Sequence, residues 1–312
     1  MKKNQINNKH RIWPGTTRGD RVFLTIVYVV IALVVLMCAY PLYLTIIASV
    51  SDPYAVYSGK VNLIPHGFTL ESYQLVFSNS MIWRGYANSI LYTVAGTCFN
   101  LFLTIPSAYA LSKKRMYGRN FLTTVFLITM YFGGGMIPTY ILYKNLELIN
   151  TRWILIIGGG ISVYNVIVTR TYFQNNIPET LFEAARIDGA NEFLTFFKLV
   201  LPLSAPILAV ITLYYAVGHW GSYFSAMIYT YDQALQPLQL VLRNILILNE
   251  TAYTDALASG DATLIADASR QAYLALTMKY SLVFIASAPM LIAYPFVQKH
   301  FVKGIMVGSL KG

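Results

Sequence analysis

The 312-residue sequence is 56% hydrophobic and only 12% charged, with a mean hydropathy of +0.53, about half the roughly 25% charge of a soluble domain. Its uncharged stretches, 22–51, 85–112, 120–143, 153–169, 199–231 and 280–298, mostly reach the roughly 20 residues that cross a bilayer as a helix, and they lack the period-two alternation of barrel strands. A soluble enzyme and a β-barrel are excluded; an all-α integral membrane protein with six transmembrane helices is expected.

Sorting the net charge of +10 by loop removes any need for a nucleic-acid partner. Segments 1–21, 113–119, 170–198 and 299–312 hold sixteen of the 23 Lys/Arg but only five of the 13 Asp/Glu. This asymmetry is the positive-inside signature and places both termini in the cytoplasm. Residues 1–20 read as a polar cytoplasmic lead-in, ahead of a six-helix transmembrane domain over 21–298. The first helix is expected from Arg21 to Val50 and carries Pro41; no cleavage site follows it, so it is read as retained. An outer loop, 51–84, contains the amphipathic stretch Leu70, Tyr73, Leu75, Val76 and Phe77, expected to lie on the membrane surface or on a partner. The second helix covers 86–112 and is followed by Lys113-Lys114-Arg115 and Arg119, read as a cytoplasmic anchor. The third, 120–143, is interrupted by Gly133 to Gly135 and Pro138, a site of packing or of a bend. The fourth begins near Trp153 and holds Gly158 to Gly160, which permit close helix approach. The fifth spans 203–229, an outer loop 230–275 follows, and the sixth covers 277–298 before a cytoplasmic tail, 299–312.

Segment 170–202 differs from the rest, with four acids, three bases and an apolar face. Pro178 suits a first helical position. Leu181, Phe182, Ala185 and Ile187 then fall near one face, with Glu183, Arg186 and Asp188 on or beside the other. Gly189 permits a sharp turn into a second short helix carrying Phe193, Phe196 and Phe197. An exposed apolar helix-turn-helix in the cytoplasm points to a protein partner or the membrane surface.

Glu183-Ala184-Ala185, Gly189 and Leu199-Val200-Leu201-Pro202 stand at the spacing EAA-x3-G-x9-I-x-LP. This resembles the EAA loop of ABC importer permeases, with Leu199 in place of Ile as the one departure. Ala108 to Ser112, Ile137-Pro138-Thr139-Tyr140 and Asn150 to Trp153 are similar to the carbohydrate, maltose-type (MalG-like) branch. Arg186 to Ala190, Gly218-His219-Trp220 and Phe301 to Gly308 look like the LplC/YtcP-type permeases of polysaccharides and oligosaccharides. The resemblance implies a MetI-like, type I importer fold, a second homologous permease, two ATPase subunits that hold the ATP and Mg, and an extracytoplasmic solute-binding protein delivering a carbohydrate. It implies no cofactor in this chain and no enzyme activity of its own.

On that resemblance, Leu181, Phe182, Glu183, Ala184, Ala185, Asp188, Gly189 and Pro202 form the ATPase-coupling loop, the apolar face filling a cleft on the ATPase. The tail residues Gly304, Ile305, Met306 and Gly308 enter the ATPase interface as an extended segment. Asn249, Glu250, Asp255 and Asp261 of the outer loop contact the binding protein. From the residues themselves, Asn88, Asn165, Tyr215, His219, Trp220 and Tyr223 are candidates for the sugar path, aromatic faces suiting the apolar side of a pyranose; helix packing is the competing role for each. Cys38 and Cys98 lie within apolar runs and His10, His66, His219 and His300 are scattered, so no metal site is expected. Glu183 has no nucleophile or ligand set near it in sequence, which argues against a general base. The membrane runs hold no internal acid or base, and no Walker A pattern occurs. External ATP hydrolysis is thus the expected energy source; the alternatives are a self-contained secondary carrier or channel and, more remotely, a membrane enzyme.

Overall fold

The computed structural model describes residues 17–259 and 262–309. Helix α1 (Arg18–Ser49) starts at a capping box: the Thr17 side chain accepts from the Asp20 amide, and the Asp20 carboxylate accepts from the Thr17 amide at 2.9 Å. Most of its apolar side chains are exposed, the state of a helix solvated by lipid or another subunit rather than by its own chain. The short helix α2 (Pro53–Tyr57) is capped by Asp52. Helix α3 (Glu71–Ser78) covers the amphipathic stretch, where Leu75 and Phe77 stay exposed while one side turns into the bundle. Its Val76 is buried with Ile82, Leu238 and Leu282, and Ser72 shares a 2.7 Å hydrogen bond with Ser281.

Helix α4 (Ser80–Ser112) is the central post. Beyond it, α5 (Arg119–Tyr131) and α6 (Met136–Asn145) replace the expected third helix and meet at 113°. Gly135 takes φ +85° at the corner, and nothing lies within 4 Å of a Cβ added at Gly133. The glycines therefore serve the bend, not close packing. The expected fourth helix is also split, into α7 (Arg152–Ile157) and α8 (Val163–Asn176). Close approach does occur between them: a Cβ on Gly160 would stand 2.8 Å from the Phe99 ring.

The cytoplasmic segment folds as α9 (Glu179–Ile187), α10 (Glu192–Thr195), a π-helical turn at Phe196–Val200 and α11 (Leu201–Leu203). An 81° bend leads into α12 (Ala205–Trp220). The break falls between Pro202 and Pro206, which together remove two amide donors. After α13 (Tyr223–Tyr229), the stretch expected to be a long loop is largely helical: α14 (Leu238–Ser259) packs beside α15 (Ala262–Ser309). The latter absorbs the expected sixth helix and carries Pro289 and Pro295. It also contains Gly304, Ile305, Met306 and Gly308, so the tail is helical there instead of extended.

Among the described residues, three helices, within α1, α4 and α15, are long and apolar enough to cross a membrane, and up to five spans result if each bent pair counts as one. Of the four buried apolar clusters among the described residues, two mark the ends of α4. At the Ser80 end of α4, Val76 and Ile82 pack with Leu238, Val241 and Leu282. At the Ser112 end, Ala108 and Leu111 pack with Val166, Phe173, Val200 and Ile211, seating the EAA segment on the bundle.

Candidate coupling loop and membrane cavity

Pro178 is the N-cap of α9 rather than its first helical residue. The helix ends because Gly189 reaches φ +75°, letting the Ala190 amide bond the Ala185 carbonyl at 2.8 Å. Asn191 caps the next turn, its side chain accepting from the Leu194 amide at 2.8 Å. Residues 189–191 therefore make a defined corner from local chemistry alone.

The apolar residues of this loop divide. Phe182 turns inward: it packs on the Ser112-end core, with the Lys113 ammonium 3.5 Å from its ring centroid. This corrects its expected place on the cleft-filling face. Leu181, Ile187, Phe193 and Phe197 remain exposed, Ile187 at 87%, and make the outward surface beside Ala184, Asp188 and Pro202, which are exposed as well. Ala185 is half-buried.

The acids divide in the same way. Glu192 is a hub, accepting from the Tyr109 hydroxyl at 2.7 Å and lying 3.4 Å from both Lys113 and Arg186. The Tyr109 hydrogen bond, aided by the two cations and opposed by burial, holds its carboxyl below the usual glutamate range. Burial pulls the Lys113 ammonium down while Glu192 pulls it back up. Glu179 pairs with Lys114 at 3.1 Å. Glu183, by contrast, is exposed and makes no hydrogen bond or ion pair among the described residues. The basic cluster after α4, read from sequence as a membrane anchor, is thus also the clamp that fixes this loop.

A cavity of 390 Å³ lies between α4, α7, α12 and α13, lined by Asn100, Tyr143, Tyr215, His219, Ser222 and Tyr229 among others. Asn100 donates to the Gly160 carbonyl at 2.8 Å, which leaves its carbonyl oxygen facing His219 Nε2 at 2.6 Å. That amide orientation makes Nε2 the donor. Imidazole and α4 meet closely because Gly96 has no side chain: a Cβ there would collide with the ring. Tyr215 is held by Thr104 at 2.6 Å and by the Ser162 amide at 3.1 Å. Tyr143 and Tyr229 pack edge to face, with centroids 5.2 Å apart.

Of the six path candidates, only Tyr215 and His219 line this cavity. Asn88 instead pins the loop before α14, donating to the Ala234 and Gln236 carbonyls at 2.8 and 3.1 Å. Asn165 is buried in α8 away from the lining. Trp220 is a packing residue whose indole donates to the Ala286 carbonyl at 2.9 Å. Tyr223 lines a second cavity on the other side of α13. Asn100 is a polar group of the second apolar run for which the sequence offers interhelical hydrogen bonding or path lining, whereas nothing local marks Tyr143 and Tyr229 among the many tyrosines.

Of the outer-loop candidates, Asp255 is exposed on α14, and Asn249 and Glu250 fall in the same helix. Asp261 lies outside the described residues.

Residues 80–307 match the family model described as "Binding-protein-dependent transport system inner membrane component". The chain belongs to this family. It is similar to the polygalacturonan/rhamnogalacturonan transport system permease protein YtcP of Bacillus subtilis (strain 168), at 38% identity over 94% of this chain and 99% of the relative. Protein LplC of the same organism is 42% identical over 80% of this chain and 81% of its own length. A solved bacterial ABC transporter involved in import of the acidic polysaccharide alginate has a chain 32% identical, with a TM-score of 0.80, covering 93% of this chain and 100% of that one. The protein is accordingly an inner-membrane permease subunit of an ABC transport system, with the MetI-like fold.

Proposed function

We propose that this permease imports a complex oligosaccharide, delivered by an extracytoplasmic binding protein and driven by two ATPase subunits that hold ATP and Mg. A second homologous permease completes the path. In this reading the chain crosses the membrane six times with both termini in the cytoplasm, and the segment around α9 and α10 docks on an ATPase. The observation that carries it is the division of the EAA loop. Phe182 and Glu192 face the bundle, while Glu183 and the apolar residues Leu181, Ile187, Phe193 and Phe197 stay exposed. An exposed apolar patch beside unpaired charge is the form of a protein interface, and the tail with Gly304, Ile305, Met306 and Gly308 adds a second contact with the same ATPases.

The carbohydrate reading rests on the named relatives, polygalacturonan and rhamnogalacturonan for one and alginate for another. It is supported by the tyrosine-lined cavity, whose ring faces suit pyranose C–H surfaces. Asn249, Glu250 and Asp255 of α14, together with Asp261, are assigned to binding-protein contact. Vesicles holding the permease pair, with and without the ATPases, test the scheme. ATP-dependent oligosaccharide uptake is expected only from the full complex; uptake by this chain alone would make it a self-contained carrier.

A further inference from the structure

A second cavity, of 480 Å³, opens between α13, α14 and α15. It lies at the end of the bundle opposite the EAA loop. Leu242 and Leu282 in its wall belong to the core at the Ser80 end of α4, and Leu238, one turn from Leu242, rests on Gly85 with 3.1 Å between its Cα and an added Cβ. The remaining wall is Tyr223, Gln239, Arg243, Lys279 and apolar neighbours, with no acid among the described lining residues. Arg243 and Lys279 are both exposed and make no hydrogen bond or ion pair with any described residue. Elsewhere at that end, Arg270 of α15 meets Glu71 at 3.4 Å.

Arg243 and Lys279 line the same apolar-walled pocket with no described acid to neutralise them, and an anion entering it supplies the missing countercharge. The α13 helix supplies a reason to assign the anion to the transported molecule. Tyr223 lines this outer cavity, whereas Ser225 and Tyr229 of the same helix line the central one, so a single short helix is the shared wall of both. We infer that Arg243 and Lys279 form a carboxylate subsite at the outer entrance, where an acidic, uronate-bearing oligosaccharide is received before it passes along α13 to the tyrosine cavity. The Arg243 fork takes a carboxylate through two N–H donors, the Lys279 ammonium adds an adaptable point charge, and Tyr223 and Gln239 provide a ring face and an amide for the sugar. This assignment rests on the oligosaccharide-permease reading and specifies its substrate class.

The full importer, reconstituted in vesicles with saturating binding protein, is assayed with a short oligogalacturonate and with its carboxyl-reduced, neutral counterpart. The Arg243→Gln/Lys279→Gln double variant is expected to import the acidic sugar about tenfold more slowly than wild type, the loss expected from one charge-assisted contact. Uptake of the neutral sugar relative to wild type is unchanged, and the charge-keeping Arg243→Lys/Lys279→Arg pair retains most acidic uptake. Equal losses on both sugars, or no loss on either, overturn the subsite. So does a defect that disappears in vesicles lacking anionic phospholipid, which would give the pocket to a lipid headgroup. A wild-type complex that imports only the neutral sugar overturns the subsite and leaves the permease reading standing; one that imports neither overturns the oligosaccharide reading as well.

Discussion

The Tyr109 hydroxyl donates to the Glu192 carboxylate at 2.7 Å, joining the last turns of α4 to the first residue of α10 across 83 positions of sequence. Lys113 reaches the same carboxylate at 3.4 Å. The EAA loop is thereby fixed to α4 as well as to α8 and α12, so a force applied to it moves three helices. Glu192→Ala removes all these contacts. With the carboxylate 58% exposed, solvent screening limits the direct loss to about 1 kcal/mol. Transport per ATP hydrolysed should fall several-fold while membrane levels stay normal, and Glu192→Gln should fall between, since its amide oxygen still accepts from Tyr109. A wild-type ratio of sugar imported to ATP hydrolysed in the alanine variant would show that the clamp carries no force.

The same residue sets an acid limit. Its carboxyl is held low chiefly by the Tyr109 hydrogen bond. A depressed folded-state value stabilises at every pH above the unfolded glutamate value, about 4.3, and the contribution is lost as pH falls through the lower folded value. The difference in melting temperature between wild type and Glu192→Ala should therefore be constant from pH 8 to pH 6 and shrink only below about pH 4.3. A difference that changed near neutrality would assign the effect to another group.

Gly96 is where α4 and α12 come closest around His219, and an added Cβ has no room beside the imidazole. Gly96→Ala should destabilise the purified protein by about 1–3 kcal/mol, the range for overpacking a filled site. Shortening the obstructing residue in Gly96→Ala/His219→Ala should recover most of the loss. Thermal unfolding in detergent measures both; equal melting of the Gly96→Ala variant and wild type would contradict the close crossing.

What the sequence revealed depended on the range of the interaction. The EAA spacing and the turn at Gly189 are local, and they placed the loop correctly. The interruption at Gly133 to Gly135 is legible, but its 113° angle is not, because glycines permit many bends without selecting one. Residues 230–275 were misread because apolar runs were sought in uncharged windows, and Arg243 and Lys279 divide the windows of α14 and α15. The clamp was hidden for a different reason: Lys114 and Glu179 pair 65 positions apart, and no local pattern marks either as the other's partner. The inward turn of Phe182 likewise depends on Lys113 and Tyr109 standing beside it.

Glu183 and Gly189 separate docking from folding. Glu183 touches no described partner, so Glu183→Lys leaves the chain's own contacts intact and replaces one exposed charge by its opposite. At Gly189 there is open space, with nothing within 4 Å of an added Cβ, but φ is +75°. Gly189→Val therefore meets no neighbour; its cost is backbone strain of roughly 1–2 kcal/mol, greater for a β-branched side chain, which shifts the corner between α9 and α10. Both variants should insert and pair with the second permease at wild-type levels, because neither change reaches a membrane helix. On the proposed docking, Glu183→Lys weakens ATPase co-purification by repelling a basic group, and a compensating Lys/Arg→Glu change in the ATPase groove restores it. Gly189→Val is not restored that way, since its defect is one of shape. If both variants bind ATPase and import sugar at the wild-type rate in reconstituted vesicles, the surface around Glu183 is not the coupling surface.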